Sequence, residues 1–202
     1  MQPSEVRAVI RDLVEDWAIW RDAMDWERFR QVWHQPGRMN ATWFRGSADD
    51  FVAASREGAA RGVRILHLCG GTTVDIADAH ALAQTKMTIS QRAVVEHVEC
   101  DVVCTGRFYD FFAVREGRWG LVERQPIYEK DRIDPVDPSA RLDLDRQHLG
   151  SFPSGYRHLA YLQTRLGYRV EPDLPGLDGP ALDRLYERGA RWLAGDETAV
   201  GC

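Results

Sequence analysis

Four cysteines scattered through 202 residues do not make a disulfide framework. Cys100 and Cys104 fall in one strand-like run, where four residues span about 13 Å. They cannot share a metal ion without a bend, so they read as two buried thiols, and the setting they imply is reducing and cytoplasmic. Long apolar runs are missing too. No stretch approaches the roughly 20 residues of a membrane span, and the start of the chain shows no signal-peptide core, so no membrane partner is expected. Basic charge is in short supply, with 26 Lys and Arg against 31 Asp and Glu and a net charge of −5. That balance argues against nucleic acid as a partner, which requires a basic surface.

Most motifs that carry chemistry are absent as well. There is no GxGxxG or GxxxxGK[ST] phosphate cradle, no HExxH, no CxxC and no GxSxG. Gly70-Gly71 stands outside any strand-to-helix context. The six histidines are scattered; His97 and Glu99 could share a strand face, but nothing supplies the further ligands a metal needs. What remains is acid–base work by side chains alone, with no cofactor and no metal, or no catalysis.

What is present is an ordinary globular composition, 44% hydrophobic and 28% charged, in a chain long enough for one full domain with additions. Residues 6–33 organise it. Val6, Val9, Ile10, Leu13, Trp17, Trp20 and Met24 recur at helical spacing, and a face with two indoles needs a broad apolar surface against it. Ser4 is placed to cap this helix, and Asp25 to cap a short second one carrying Trp26, Phe29 and Trp33. Asp22 falls off the main stripe, beside Val14 and Ala18; periodicity alone makes it a solvated acid.

His34-Gln35-Pro36-Gly37 reads as a turn and residues 39–44 as a strand. Ser47 caps a helix that ends near Gly62, and residues 63–68 form a short strand broken at Gly70-Gly71. Long β segments come next: residues 72–76, 82–92, 99–114 and 119–128, with reversals at residues 77–80 and 115–118. Long antiparallel strands curl, and helices followed by such a meander predict an α+β cone with a pocket inside. After residue 132 a linker leads to a helix capped by Ser154 and stopped by Gly167, then a last helix beginning at Pro180 whose apolar face holds Leu182, Leu185, Tyr186 and Trp192. The expected organisation is a cone over residues 1–132 and a helical extension over 133–202. Residues 146–168 should pack at the mouth of the cone, as a lid or a subunit interface, with the helix start at Tyr156, Arg157 and His158 offering N–H groups to a polar substrate group.

Three residues are candidates for chemistry. His67 lies in the apolar strand Ile65-Leu66-His67-Leu68-Cys69, where an inward ring is more often a satisfied core residue than a base. Arg124 shares a strand face with Val122 and Tyr128 by alternation, and a salt bridge to a neighbouring Glu is its plain reading. Asp22 is the third. A pocket lined by Trp17, Trp20, Trp43, Phe108, Tyr109 and Tyr128 would suit a small hydrophobic, aromatic molecule.

These residues also carry a resemblance. Ile-x-Asp-Leu at residues 10–13, an aspartate twelve positions after the Ile (Asp22) and a Trp eleven further on (Trp33) resemble the opening helices of the SnoaL-like, nuclear-transport-factor-2-like superfamily, near hexachlorocyclohexane dehydrochlorinase and scytalone dehydratase. Leu66-His67-Leu68-Cys69-Gly70 matches the apolar-His-x-x-Gly strand of that group, and Arg124 stands five residues after Trp119 as its arginine does. The resemblance covers residues 10–128. It implies a curved sheet wrapped around N-terminal helices, and an aspartate that orients a histidine base while an arginine stabilises developing negative charge. It also implies a cofactor-independent lyase or isomerase, of dehydratase or side-chain-cleaving type, working as a homodimer or homotrimer. The dehydrochlorinase has a lysine five residues before its aspartate; Trp17 stands there here, so dechlorination is not implied. The superfamily also holds non-catalytic members, such as the β subunit of ring-hydroxylating dioxygenases. A binding or structural subunit is therefore the alternative, and fold does not choose between them.

Overall fold

The structure is a computed structural model in which residues 1–201 are described. Helix α1 (Pro3–Asp22) and the short α2 (Trp26–Gln31) lead into strands β1 (Trp33–Asn40) and β2 (Arg45–Ser47). Helix α3 (Ala48–Ala60) precedes four long strands: β3 (Ile65–Ala77), β4 (His80–Val95), β5 (Val98–Arg115) and β6 (Arg118–Pro135). The tail holds α4 (Arg146–Gly150), α5 (Arg157–Arg165), α6 (Pro180–Leu193) and a 3₁₀ turn at Glu197–Ala199. The strands form one curved, unclosed mixed sheet in the order β2-β1-β6-β5-β4-β3, antiparallel except where β1 runs parallel to β6. This is the expected α+β cone.

Local chemistry explains the elements. Helix α1 is capped by Gln2, not Ser4: Pro3 occupies the first turn, where its missing N–H costs nothing, and Gln2 and Glu5 exchange hydrogen bonds as a capping box. Asp25 and Ser47 cap α2 and α3 as expected, each accepting an N–H three residues on. The hairpins turn on pairs of residues in the left-handed region at Glu96-His97 and Glu116-Gly117, the conformation a two-residue turn needs to match strand twist. His97 is thus a turn residue and not part of a strand face with Glu99.

Sheet pairing overrides two local readings. The segment His34-Gln35-Pro36-Gly37 is not a turn; it belongs to β1, with a cis Gln35–Pro36 bond and a register shift against β6. Gly70-Gly71 does not break β3, which continues to Ala77 with an irregularity between Cys69 and Thr72.

Two cores flank the sheet. On the concave side Val6, Ile10, Val14 and Trp17 of α1 pack with Phe29, Phe51, Phe108 and, from the tail, Leu159 and Leu162. On the convex side α6 places Leu182, Leu185 and Trp192 against Tyr109, Phe111, Val122 and Ile127. Coverage of both faces explains why Phe108 to Ala113 are buried without alternation. Cys100 and Cys104 are free, buried thiols of the concave core.

The tail packs on the cone within the same chain. Ser154 does not cap α5; the buried Asp131 of β6 does, accepting the backbone N–H groups of His158 (2.6 Å) and Leu159 (2.8 Å). The N–H groups of His158 and Leu159 are therefore taken by Asp131 rather than offered to a ligand.

Candidate active site

Helix α1 ends at Asp22, and β3 passes its C-terminal turn. Asp22 grips His67 twice: Oδ2 accepts the His67 backbone N–H at 2.5 Å, and Oδ1 accepts from ring Nδ1 at 2.7 Å. The Asp22 side chain is 16% exposed and that of His67 6%, so Asp22 is not the solvated acid that periodicity suggests; it sits beside the buried Val14 and Ala18 and turns toward the sheet. With Nδ1–H donated to the carboxylate, Nε2 is left as an acceptor with no partner among the described residues. Burial pushes the His67 pKa below its ordinary value; the hydrogen bond and charge of Asp22 pull it up, while Arg21 and Arg124 push it further down. The lowered pKa favours the uncharged ring, and the Asp22 hydrogen bond favours the tautomer with its proton on Nδ1.

The same double grip recurs at Asp131 and His158, whose Nδ1 lies 2.8 Å from the carboxylate. That pair serves a helix start, so the grip alone does not define a catalytic site. What separates His67 is its cavity. Trp17, Trp43, Phe108, Tyr128, Gln91 and Gln163 share the lining with it. Trp17 meets the imidazole edge-on at 5.1 Å, and Trp43 on the β1–β2 loop packs on Tyr168 of the tail at 5.3 Å. The cavity is narrow, about 30 Å³, room for a water or two. A far larger open groove, about 1290 Å³, lies elsewhere, between α1, α2 and the β5–β6 turn. The histidine there, His34, is not free: its ring nitrogens are engaged by Ala113 O and by Arg118.

Arg124 is fully buried and bound through Nε and Nη2 to Asp110 of β5, both at 2.7 Å. Its guanidinium lies 4.1 Å from the Trp17 ring and 4.0 Å from that of Phe108. Burial raises the Asp110 carboxyl, and the guanidinium opposes that rise. Arg124 therefore stands behind the aromatic wall, paired, and does not line the cavity. The partner of Arg124 is thus Asp110 of the adjacent strand and not a neighbouring Glu. Among the described residues, only Nη1 of its guanidinium nitrogens finds no hydrogen-bond partner.

The SnoaL-like domain pattern matches residues 2–125. The chain belongs to that family. Over its length it is similar to pea pathogenicity protein 2 of Fusarium vanettenii, at 36% identity over 96% of this chain and 88% of that protein. It is also similar to the uncharacterized protein AN9274 of Emericella nidulans, at 38% identity with the same coverage. Among solved structures, a putative scytalone dehydratase from Novosphingobium aromaticivorans superposes with a TM-score of 0.53 at 17% identity, covering 69% of this chain and 96% of that one. The hexachlorocyclohexane dehydrochlorinase LinA-type3 from Novosphingobium barchaimii gives 0.55 at 10% identity, covering 69% and 96%. At these identities the two structures establish the shared fold. The SnoaL-like cone carries cofactor-free enzymes among its members.

Within this SnoaL-like chain, two aromatic residues expected in the pocket lie elsewhere. Tyr109 is on the convex face, packed on Tyr186 and Phe111, because α6 covers a face that an uncovered cone would leave to solvent. Trp20 points away into the large groove, under the guanidinium of Arg28 at 4.6 Å. Val122 does not share a face with Arg124 and Tyr128 either: a register shift at Phe111/Phe112 leaves Val122 without a pairing partner and turns it toward α6. Tyr128 lines the cavity, but its hydroxyl accepts the Thr42 N–H at 3.3 Å. Among the described residues no three His, Cys, Asp or Glu side chains come together as metal ligands, and no helix is long and apolar enough to cross a membrane.

Sequence reasoning missed Arg21. Residue four after Trp17, on the stripe Ile10–Val14–Trp17–Ala18, it is 7% exposed and lines the cavity beside His67. Burial lowers its pKa, with Asp22 and Tyr168 opposing. Spacing alone could have flagged it, since an arginine on a buried helical face needs a reason to be there.

Proposed function

We propose that this SnoaL-like protein is a cofactor-independent lyase or isomerase of dehydratase or side-chain-cleaving type, in which His67 is the proton-abstracting base. The observation that carries the reading is the Asp22–His67 pair: a buried imidazole whose pKa burial lowers, with one nitrogen bound to a carboxylate and the other without a partner among the described residues, in a cavity walled by indoles and phenyl rings. When Nε2 takes a proton from the substrate, the Asp22 carboxylate stabilises the imidazolium that forms, and the same proton returns to the product or leaving group. Asp22, joined to both ring and backbone, holds the geometry without rearrangement. Burial chiefly favours an uncharged His67 between turnovers, and Arg124, paired with Asp110 behind the wall, adds a small push in the same direction. Trp17, Trp43 and Tyr128 hold a hydrophobic, aromatic substrate. Such a substrate is larger than the cavity of about 30 Å³, so this reading requires the wall to open and assigns that movement to Trp43, half-buried on its loop against Tyr168. In this reading the chain works as a cytoplasmic homodimer or homotrimer, consistent with its free thiols.

A second reading, a non-catalytic binding or structural subunit, is favoured by the cavity's small size. The two separate on a panel of aromatic ketones, alcohols and lignin-type dimers assayed with the wild-type chain and with His67→Ala. Turnover that His67→Ala abolishes, with the circular dichroism spectrum unchanged, supports the enzyme; turnover that survives in His67→Ala removes His67 as base.

A further inference from the structure

The guanidinium of Arg21 has no hydrogen bond and no ion pair among the described residues, although the residue is only 7% exposed. It stands between two adjoining cavities, the one that holds His67 and a smaller one toward α3. Around it the lining is polar where the rest is aromatic. Gln91 of β4 and Gln163 of α5 line both cavities, and Ser55 of α3 lines the smaller one; these three are 2%, 3% and 2% exposed. Among the described residues the Oε1 atoms of both glutamines and the Oγ of Ser55 have no hydrogen-bond partner, nor has the Trp17 indole N–H in the wall of the larger cavity. Buried polar groups are almost always paired, and four orphans beside one unpaired guanidinium form a cluster.

The acids nearby do not explain it. Asp22 contributes charge to Arg21, but both its oxygens are committed to His67; Asp110 is committed to Arg124. Tyr168, which also feels Arg21, accepts at its hydroxyl from Arg61. A neutral hydrophobic ligand would leave the guanidinium and the amides dry and unpaired, the costliest outcome for such groups. A carboxylate fits: it accepts the planar fork of Arg21 and N–H groups of the two rotated amides, with the Ser55 hydroxyl as a further donor.

We propose that Arg21, with Gln91, Gln163 and Ser55, is a carboxylate-binding site, so that the ligand of this cavity is a small aromatic organic acid whose anionic end lies at Arg21 and whose reacting carbon lies toward His67. This rests on the cavity being the substrate site. Four elements, α1, α3, β4 and α5, contribute to it, and α5 gives the tail a part in recognition that no lid or interface would require.

Calorimetric titration of the full chain near neutral pH, with benzoate, phenylacetate and cinnamate each against its methyl ester, tests it without any need for turnover. At least one acid should bind about tenfold or more tightly than its ester, the range of a charge-assisted pair. Arg21→Gln should erase that preference and Arg21→Lys keep part of it. Gln163→Leu, which leaves α1 untouched and so decides the matter should Arg21→Gln fail to fold, should weaken the acid severalfold and the ester little. His67→Ala should keep the preference. Acids that bind no better than esters, acids that do not bind, or a preference that persists without Arg21 each overturn the proposal. The enzyme reading fails separately: Arg21-dependent acid binding with no turnover removes catalysis and leaves the anion site. His67-dependent turnover of neutral substrates that ignores Arg21→Gln does the reverse.

Discussion

Asp22 and His67 are joined across 45 residues of sequence by two hydrogen bonds from one carboxylate, one to the ring and one to the backbone of the same residue. The backbone bond pins the carboxylate to β3, so the ring bond is made in a fixed orientation. Rotation of the Asp22 side chain must break both. Asp22→Asn keeps the shape but removes the counter-charge for the imidazolium and disturbs the tautomer. The expected loss in kcat/KM is about 10²- to 10⁴-fold with the fold intact. Full turnover in that variant would dispose of the pair as a catalytic unit.

Stability should carry the signature of a buried neutral histidine. The His67 pKa is lowered in the fold, chiefly by burial, so the unfolded chain binds its proton first as pH falls. The contribution to stability is complete above the ordinary histidine value of about 6.5 and is lost as pH drops through that value toward the folded one. Denaturant unfolding of the wild type and of His67→Gln, compared from about pH 8 to about pH 5, should show the wild type losing stability faster on the acid side. A difference that stays constant across that range contradicts a depressed pKa.

Arg124 and Asp110 form an ion pair with neither side chain exposed. Arg124→Ala strands the carboxylate, at a cost of about 3–5 kcal/mol, whereas replacing both partners by apolar residues should recover most of it. Urea unfolding of the single and double variants reads this directly. A single variant within about 1 kcal/mol of wild type would mean the pair is not desolvated as described.

The tail should behave as part of the core. Removing residues 180–202, and α6 with them, uncovers Tyr109, Phe111, Val122 and Ile127 on the convex face, and a patch of that kind invites association. Truncation before Pro180 is expected to raise the binding of a hydrophobic dye and to produce aggregates on gel filtration. A truncated chain that stays soluble and binds no dye would show that the convex face is protected in some other way.

How much of this was legible in the sequence depended on how local each feature is. The hairpins and most helix boundaries follow from turn residues and caps such as Asp25, Ser47 and Glu116-Gly117, and the structure repeats them. The reading failed at Pro36 and Gly37, and at Gly70-Gly71, where ladder pairs on either side carry the strand past residues that are themselves irregular. Asp22 and His67 were visible only through their spacing against a known family, because a helical acid and a strand histidine are unremarkable by periodicity. Asp110 could not be found as the partner of Arg124, since their pairing depends on the register of β5 and β6. Tyr109 and Trp20 were misplaced because aromatic character does not say which face is covered, and the cover over Tyr109 comes from α6, far away in sequence.

The most direct test of the central claim needs no substrate. Long-range ¹⁵N–¹H correlation spectra of the imidazole groups, assigned to His67 by comparison with His67→Gln, report which ring nitrogen carries the proton. At neutral pH His67 should be uncharged, with Nδ1 protonated toward Asp22 and Nε2 bare, and Asp22→Asn should perturb that state. A His67 that is an imidazolium at neutral pH, or that carries its proton on Nε2, contradicts a base poised in the cavity.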